Sequence, residues 1–88
     1  LMNNDIKNFK KKLIYRSQYR GTKEMDKLIG SFVENHIDTL NQNELNELEN
    51  FLDLDDDTLY KIYNDQIQDF KFISPVIKKL FKNFKYKQ

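Results

Sequence analysis

The sequence predicts an all-α fold, a compact bundle of about five short helices, and three observations lead to it. Only two glycines and one proline occur in 88 residues, too few tight-turn residues for a many-stranded sheet. Apolar residues recur at three- and four-residue steps in several stretches, the period of a helix with one buried face. Between those stretches stand Asn, Asp and Ser residues placed where helix starts need them.

The first helix is expected over residues 5 to 19. Ile6, Phe9 and Leu13 make its buried stripe, and Lys7, Lys10, Lys11 and Lys12 fill the rest. It stops at Gly21, with Arg20 beside the stop, as helix C-termini often do. In the second helix Met25, Leu28, Ile29, Phe32, Val33, His36, Ile37 and Leu40 form one apolar stripe. Gly30 within it costs about 1 kcal/mol relative to alanine, so it is read as a place where another helix packs closely. Asn41 with Glu44 three residues later reads as a capping box for a third helix carrying Leu45, Leu48, Phe51 and Leu52. Asp55 or Asp56 caps a short fourth helix with Leu59, Ile62 and Tyr63. After a linker over residues 64 to 73, Ser74 and Pro75 supply the cap and first position of a fifth helix, with Val76, Ile77, Leu80, Phe81 and Phe84 on its apolar face.

A chain of this length holds one small core, so residues 1 to 88 are read as a single domain with ends at 1 to 4 and 86 to 88 that fray. Leu1 ahead of Met2 reads as an addition and is set aside. With no cysteine, disulfides and thiolate chemistry are excluded and a reducing, cytoplasmic setting is expected. No apolar run approaches the roughly 20 residues of a membrane span, and the start lacks a signal-peptide core. A monomer is expected because the apolar stripes are consumed by one bundle, although Phe70 and Phe72 in the linker leave room for self-association.

Charge is arranged in blocks. Residues 1 to 23 carry seven basic side chains against one acidic, residues 24 to 69 two against thirteen, and residues 70 to 88 six against none. Such blocks can orient a protein on a charged partner over about 10 Å.

Several chemistries fail on inspection. Asp53, Asp55 and Asp57 alternate as in a calcium loop, but Thr58 stands where the turn glycine belongs and Asn64 where the bidentate glutamate belongs, which favours helix capping. His36 is the sole histidine, so no histidine pair exists for zinc, and it is read as a hydrogen-bonded residue at the edge of the core. Ser17, Ser31 and Ser74 have no histidine–carboxylate pairing, and there is no phosphate-binding glycine loop. The chain is read as no enzyme. Lys10 to Lys12 with Tyr15, Arg16, Tyr19 and Arg20 could form a nucleic-acid surface, but no binding motif accompanies them, and the basic end at Lys78, Lys79, Lys82, Lys85 and Lys87 is in the same position. A solvated helix face is preferred.

The stretch YRSQYRGTKEMD, residues 15 to 26, is more specific. It contains R-G-x-x-E at Arg20, Gly21 and Glu24, followed by Asp26. Beyond it come a hydrophobic helix, H-x-D-T-L from His36 to Leu40, a leucine-rich helix, and an acidic turn before Leu59 and Tyr60. In this order, over residues 13 to 63, the chain resembles the succinate dehydrogenase flavinylation factors, small helical proteins that assist covalent attachment of FAD to the flavoprotein subunit. It departs from them at Ser31, where proline is common, at Ile37, where an aromatic is common, and at Ile62, where tryptophan is frequent. The last 20 or so residues match only as a charged helical extension.

The resemblance implies an assembly chaperone whose partner is the succinate dehydrogenase flavoprotein, with the fumarate reductase flavoprotein as a further candidate. FAD would belong to the partner, with no cofactor or metal held by this chain. The setting would be bacterial cytoplasm, or the mitochondrial matrix in a eukaryote. The contact surface would centre on Arg16, Arg20, Gly21, Glu24 and Asp26, with Tyr15, Ser17 and Tyr19 at its margin, and Arg20→Ala would weaken binding without unfolding the domain. Two other readings draw on the same residues: an antitoxin-like module with a different protein partner, and a small nucleic-acid binder using both basic ends.

Overall fold

The starts of four of the five α-helices are fixed by a side chain that accepts from an amide left free at the helix end. The computed structural model describes residues 3 to 67 and 73 to 86, and among these it contains α1 (Asn3–Gln18), α2 (Lys23–His36), a 3₁₀ turn (Ile37–Thr39), α3 (Gln42–Leu52), α4 (Asp56–Tyr63) and α5 (Pro75–Asn83), with no strand. The Thr22 hydroxyl accepts from the Met25 N–H at 3.2 Å to open α2. At α3 the capping box is complete: Asn41 Oδ1 accepts from the Glu44 N–H at 2.8 Å, and the Asn41 N–H donates to Glu44 Oε1 at 2.9 Å. Of the two aspartates expected to open α4, Asp55 is the cap, accepting from the Thr58 N–H at 2.8 Å. Ser74 Oγ accepts from Val76 and Ile77 ahead of α5, with Pro75 as its first residue.

Helix ends follow equally local rules. The α2 stripe does not run on to Leu40, because the chain tightens into the 3₁₀ turn after His36, where the Thr39 hydroxyl donates to the His36 carbonyl at 2.8 Å. Leu40 is left extended but still packs on the core. At the end of α4 the Gln66 N–H returns to Lys61 O at 2.8 Å and the Asp65 N–H to Ile62 O at 3.1 Å. That is the paired closure that usually employs glycine, here made by Asp65 at φ +59°, a conformation aspartate tolerates better than most residues.

The core joins all five helices. Leu13 from α1, Ile29, Phe32 and Val33 from α2, Leu45, Leu48 and Phe51 from α3, Leu59 and Ile62 from α4, and Ile77 and Phe81 from α5 are all buried. Phe32 sits at its centre, its ring 5.0 Å from Phe81, 5.9 Å from Phe51 and 5.7 Å from Phe84. Such tilted and edge-on pairs add roughly 0.5–1.5 kcal/mol each beyond area burial. The final helix is therefore a structural member, and Tyr63 fastens it further by donating its hydroxyl proton to Phe84 O at 2.7 Å.

Two side chains differ from expectation. His36 lies at the core edge, but among the described residues its ring makes no hydrogen bond; it packs 5.1 Å from Phe32 and 6.2 Å from Phe84. Val76 is 46% exposed rather than part of the α5 apolar face, because Ile77 and Phe81 define the buried line and Val76 falls one step off it. Gly30 behaves as expected, since a Cβ there would meet Gln18 Cγ at 3.0 Å and the Ser17 carbonyl at 3.6 Å. The expected exposure of Phe70 and Phe72 and the basic residue Lys87 lie outside the described residues.

Candidate docking surface

The corner between α1 and α2 owes its shape to one backbone angle. Gly21 has φ +117°, a region that side chains disfavour, and nothing lies within 4 Å of where its Cβ would be. Glycine is needed here for the turn itself, not to make room inside the protein, and the space above it is open.

The turn is held from both sides. The carboxylate of Asp26, in the first turn and a half of α2, reaches back to accept from the Arg20 N–H. The Arg20 side chain points the other way. Its Nε donates to Asp56 Oδ1 at 2.9 Å, and its two terminal nitrogens donate to the carbonyls of Leu52 and Leu54, each at 2.6 Å. Leu52 ends α3 and Leu54 lies in the turn before α4, so Arg20 caps one helix end with a cation and ties it to the next helix start. Its side chain is only 10% exposed. Arg20 thus supports the corner from beneath, with its donors turned inward, so its loss is expected to reduce stability as well as any binding.

Arg20 is the last of a row. Lys12 and Arg16 on α1 and Arg20 just past its end, at four-residue steps, meet Glu49, Asp53 and Asp56. Lys10 adds a pair with Asp38 at 3.4 Å. The acidic run at residues 53 to 57 is consumed in the same way: Asp53 and Asp56 face arginines, Asp55 caps α4, and Asp57 pairs with Lys61 at 2.9 Å. The Asp55 carboxyl titrates below the ordinary carboxylate range because its ionised form accepts from Thr58.

The outward face is made by other residues. Tyr15 and Tyr19 are 63% and 68% exposed, their ring centroids 4.5 Å apart. Together with Arg16 and Arg20 they line a shallow depression. Glu24 is exposed and has no hydrogen bond or ion pair among the described residues. Ser17 does not belong with them: it is fully buried, and its hydroxyl donates to Ile14 O at 2.6 Å. Its position four residues past Leu13 extends the buried stripe of α1, and its carbonyl faces Gly30.

Beside this corner lies a groove of about 690 Å³ that sequence reasoning missed, walled by Lys23, Glu24 and Lys27 of α2, Tyr60 and Tyr63 of α4, and Tyr86. The exposure of Tyr60 was readable, since it falls next to the buried Leu59 and off the line through Ile62. That α4 would lie beside the start of α2 was not.

Comparison with known proteins bears on what such a surface serves. A family model described as flavinator of succinate dehydrogenase matches residues 11–84. A protein of Acetobacter pasteurianus named FAD assembly factor SdhE is 44% identical over 50 residues, covering 57% of this chain and 46% of that protein. The mitochondrial succinate dehydrogenase assembly factor 2 of Arabidopsis thaliana is 33% identical over 57 residues, covering 65% of this chain and 30% of that protein. The matched stretch spans less than half the length of either relative. No solved structure matches the chain.

Proposed function

The chain belongs to the family of flavinators of succinate dehydrogenase, and from that premise we propose that it is an assembly chaperone that binds the succinate dehydrogenase flavoprotein and promotes covalent attachment of FAD to it. The observation that carries this reading is the division of the R-G-x-x-E corner. Arg20 and Asp26 are spent on holding its shape and Gly21 on making its turn, while the space above Gly21 is open and Glu24 stands exposed with no internal partner among the described residues.

A bare glycine backbone lets a partner's main chain come close, and Glu24 offers it an acceptor near the positive end of α2. Tyr15 and Tyr19 add rigid, amphipathic area at the margin. Nothing in this corner needs to perform the linkage chemistry. The helper acts by binding: if it holds the flavoprotein more tightly in the arrangement where flavin and the linking side chain are close, it raises the population that reacts. FAD, on this reading, stays with the partner, and a fumarate reductase flavoprotein with the same fold would be a second client.

The nucleic-acid reading loses support, because Lys10, Lys12, Arg16 and Arg20 are each engaged by the chain's own carboxylates. No helix among the described residues is long and apolar enough to cross a membrane. The test is reconstitution: the purified chain is mixed with apo-flavoprotein and FAD, and covalent flavin is followed on a denaturing gel. The expected result is faster or more complete labelling of the flavoprotein. Identical labelling with and without the chain, together with no binding, would overturn the proposal.

A further inference from the structure

The groove walled by Lys23, Glu24, Lys27, Tyr60, Tyr63 and Tyr86 has a chemistry that the chain's own folding leaves unanswered. Lys23 and Lys27 stand one helical turn apart, both exposed, and neither has a carboxylate partner among the described residues. Lys10, Lys12, Arg16, Arg20, Lys61 and Lys82 each have one; Lys7, Lys11, Lys79 and Lys85 are likewise exposed without one, but none of those lines this groove. Lys23 is also the first residue of α2, where the positive end of the helix disfavours a cation.

The rest of the groove is aromatic. Tyr60 is 53% exposed and, with Tyr63 and Tyr86, gives the groove an aromatic wall that a partner's apolar side chain can cover. The Tyr63 hydroxyl is already committed to Phe84 O, so this residue offers ring surface and no free donor. Leu28 adds apolar lining. Two lysines against one glutamate leave the walls with a surplus positive charge, so the complementary occupant is anionic and carries apolar area with it.

We infer that this groove receives an extended segment of the flavoprotein that carries an aspartate or glutamate next to an aromatic or apolar side chain. The carboxylate meets Lys23 and Lys27, and its neighbour packs on Tyr60 and the rings around it. This rests on the chaperone reading above. It extends the docking surface from Gly21 along the first two turns of α2 to α4, with Glu24 on the border between the two parts.

The test compares flavoprotein binding by the wild-type chain, by Lys23→Glu/Lys27→Glu, and by Tyr60→Ala, at low and moderate salt, with sedimentation of the chain alone. All three substituted residues are exposed, so thermal melts should stay close to wild type. The expected result is that charge reversal weakens binding by about tenfold or more and flattens its salt dependence, and that Tyr60→Ala weakens it with the salt dependence unchanged. If the wild-type chain binds and both variants bind as tightly, the groove assignment falls while the chaperone reading stands. If the wild-type chain does not bind the flavoprotein at all, both fall. If the chain sediments as a dimer that Tyr60→Ala dissociates, the groove's occupant is a second copy and the assignment is overturned.

Discussion

Replacing Arg20 with alanine removes three donors at once, to Asp56 Oδ1 and to the carbonyls of Leu52 and Leu54. Hydrogen bonds from a charged donor contribute about 1.5–3 kcal/mol each, but they do not add in full, because water can reach part of what is vacated. Asp56 is 30% exposed and can rehydrate, whereas the guanidinium is 10% exposed and its site is mostly closed. Breaking a largely buried pair on one side costs about 3–5 kcal/mol, and discounting for the wetter Asp56 gives an expected loss of about 3 kcal/mol. Against the roughly 4–13 kcal/mol available to a domain of this size, that is a large share. It corresponds to a melting temperature lower by roughly 12–24 °C. The assay is thermal and urea unfolding followed by circular dichroism at 222 nm, with Arg20→Lys as a companion. Lysine restores charge but not the fork that reaches two carbonyls and a carboxylate, so it should recover only part of the loss. An Arg20→Ala variant that melts within about 2 °C of wild type would refute the reasoning, since Arg20 would then be free to act outward.

Gly21→Ala puts a side chain at φ +117° with no clash to relieve, so backbone strain alone should destabilise the protein by about 1–3 kcal/mol, measured by urea unfolding. Asn41→Ala removes the side-chain half of the α3 capping box, leaving the backbone N–H at 41 bonded to Glu44, and should cost about 1 kcal/mol, seen as a melting point lower by roughly 4–8 °C. Glu24→Gln should lower melting only slightly, because the carboxylate has no internal partner and loses only its favourable place near the positive end of α2, while weakening flavoprotein binding by about tenfold in a titration. Stability should fall in two steps on acidification. Burial lowers the His36 pKa below its ordinary 6.5, so the unfolded chain takes up a proton first and stability declines as pH drops from 6.5 through the folded value. The carboxyls of Asp65, bonded to Lys82, and Asp55, bonded to Thr58, are held below the usual range, so their contribution is complete above the unfolded value of about 4 and is lost below it. Melts at pH 7.5, 5.5 and 3.5 check both steps, and His36→Phe should abolish the first.

What the sequence makes legible here is whatever depends on neighbours three or four residues away. The capping box at Asn41 and Glu44, the cap at Ser74 ahead of Pro75, and the buried lines through α2 and α3 are of that kind. Ser17 was within reach too, since Leu13 plus one turn lands on it, but a serine hides a buried stripe that a leucine would announce. The 3₁₀ turn after His36 is a local competition between continuing the helix and the Thr39 hydroxyl bond, and the apolar period carries no information about it. Arg20 is different in kind. Its partners lie 32 to 36 residues away, and no local feature separates an arginine that faces inward from one that faces out.

The charge blocks show the same limit at larger scale. A basic first quarter and an acidic middle are visible as composition, and they suggest a field presented to a partner. Once α1 packs on α3, the two blocks meet each other: Lys12, Arg16 and Arg20 face Glu49, Asp53 and Asp56, and much of that field closes on itself. What remains for a partner is set by subtraction: among the described residues it includes Lys7 and Lys11 on α1 and Lys79 and Lys85 at the other end of the chain, and where α2 begins it places Lys23, Glu24 and Lys27 together around an open glycine turn and an aromatic groove. The signature therefore mixes two kinds of residue. Arg20 and Asp26 should lose binding only together with stability, whereas Glu24 should lose binding with little loss of stability. A set of substitutions in which those two quantities move together at every position would mean that the whole corner is structural, and that the contact lies elsewhere on the molecule.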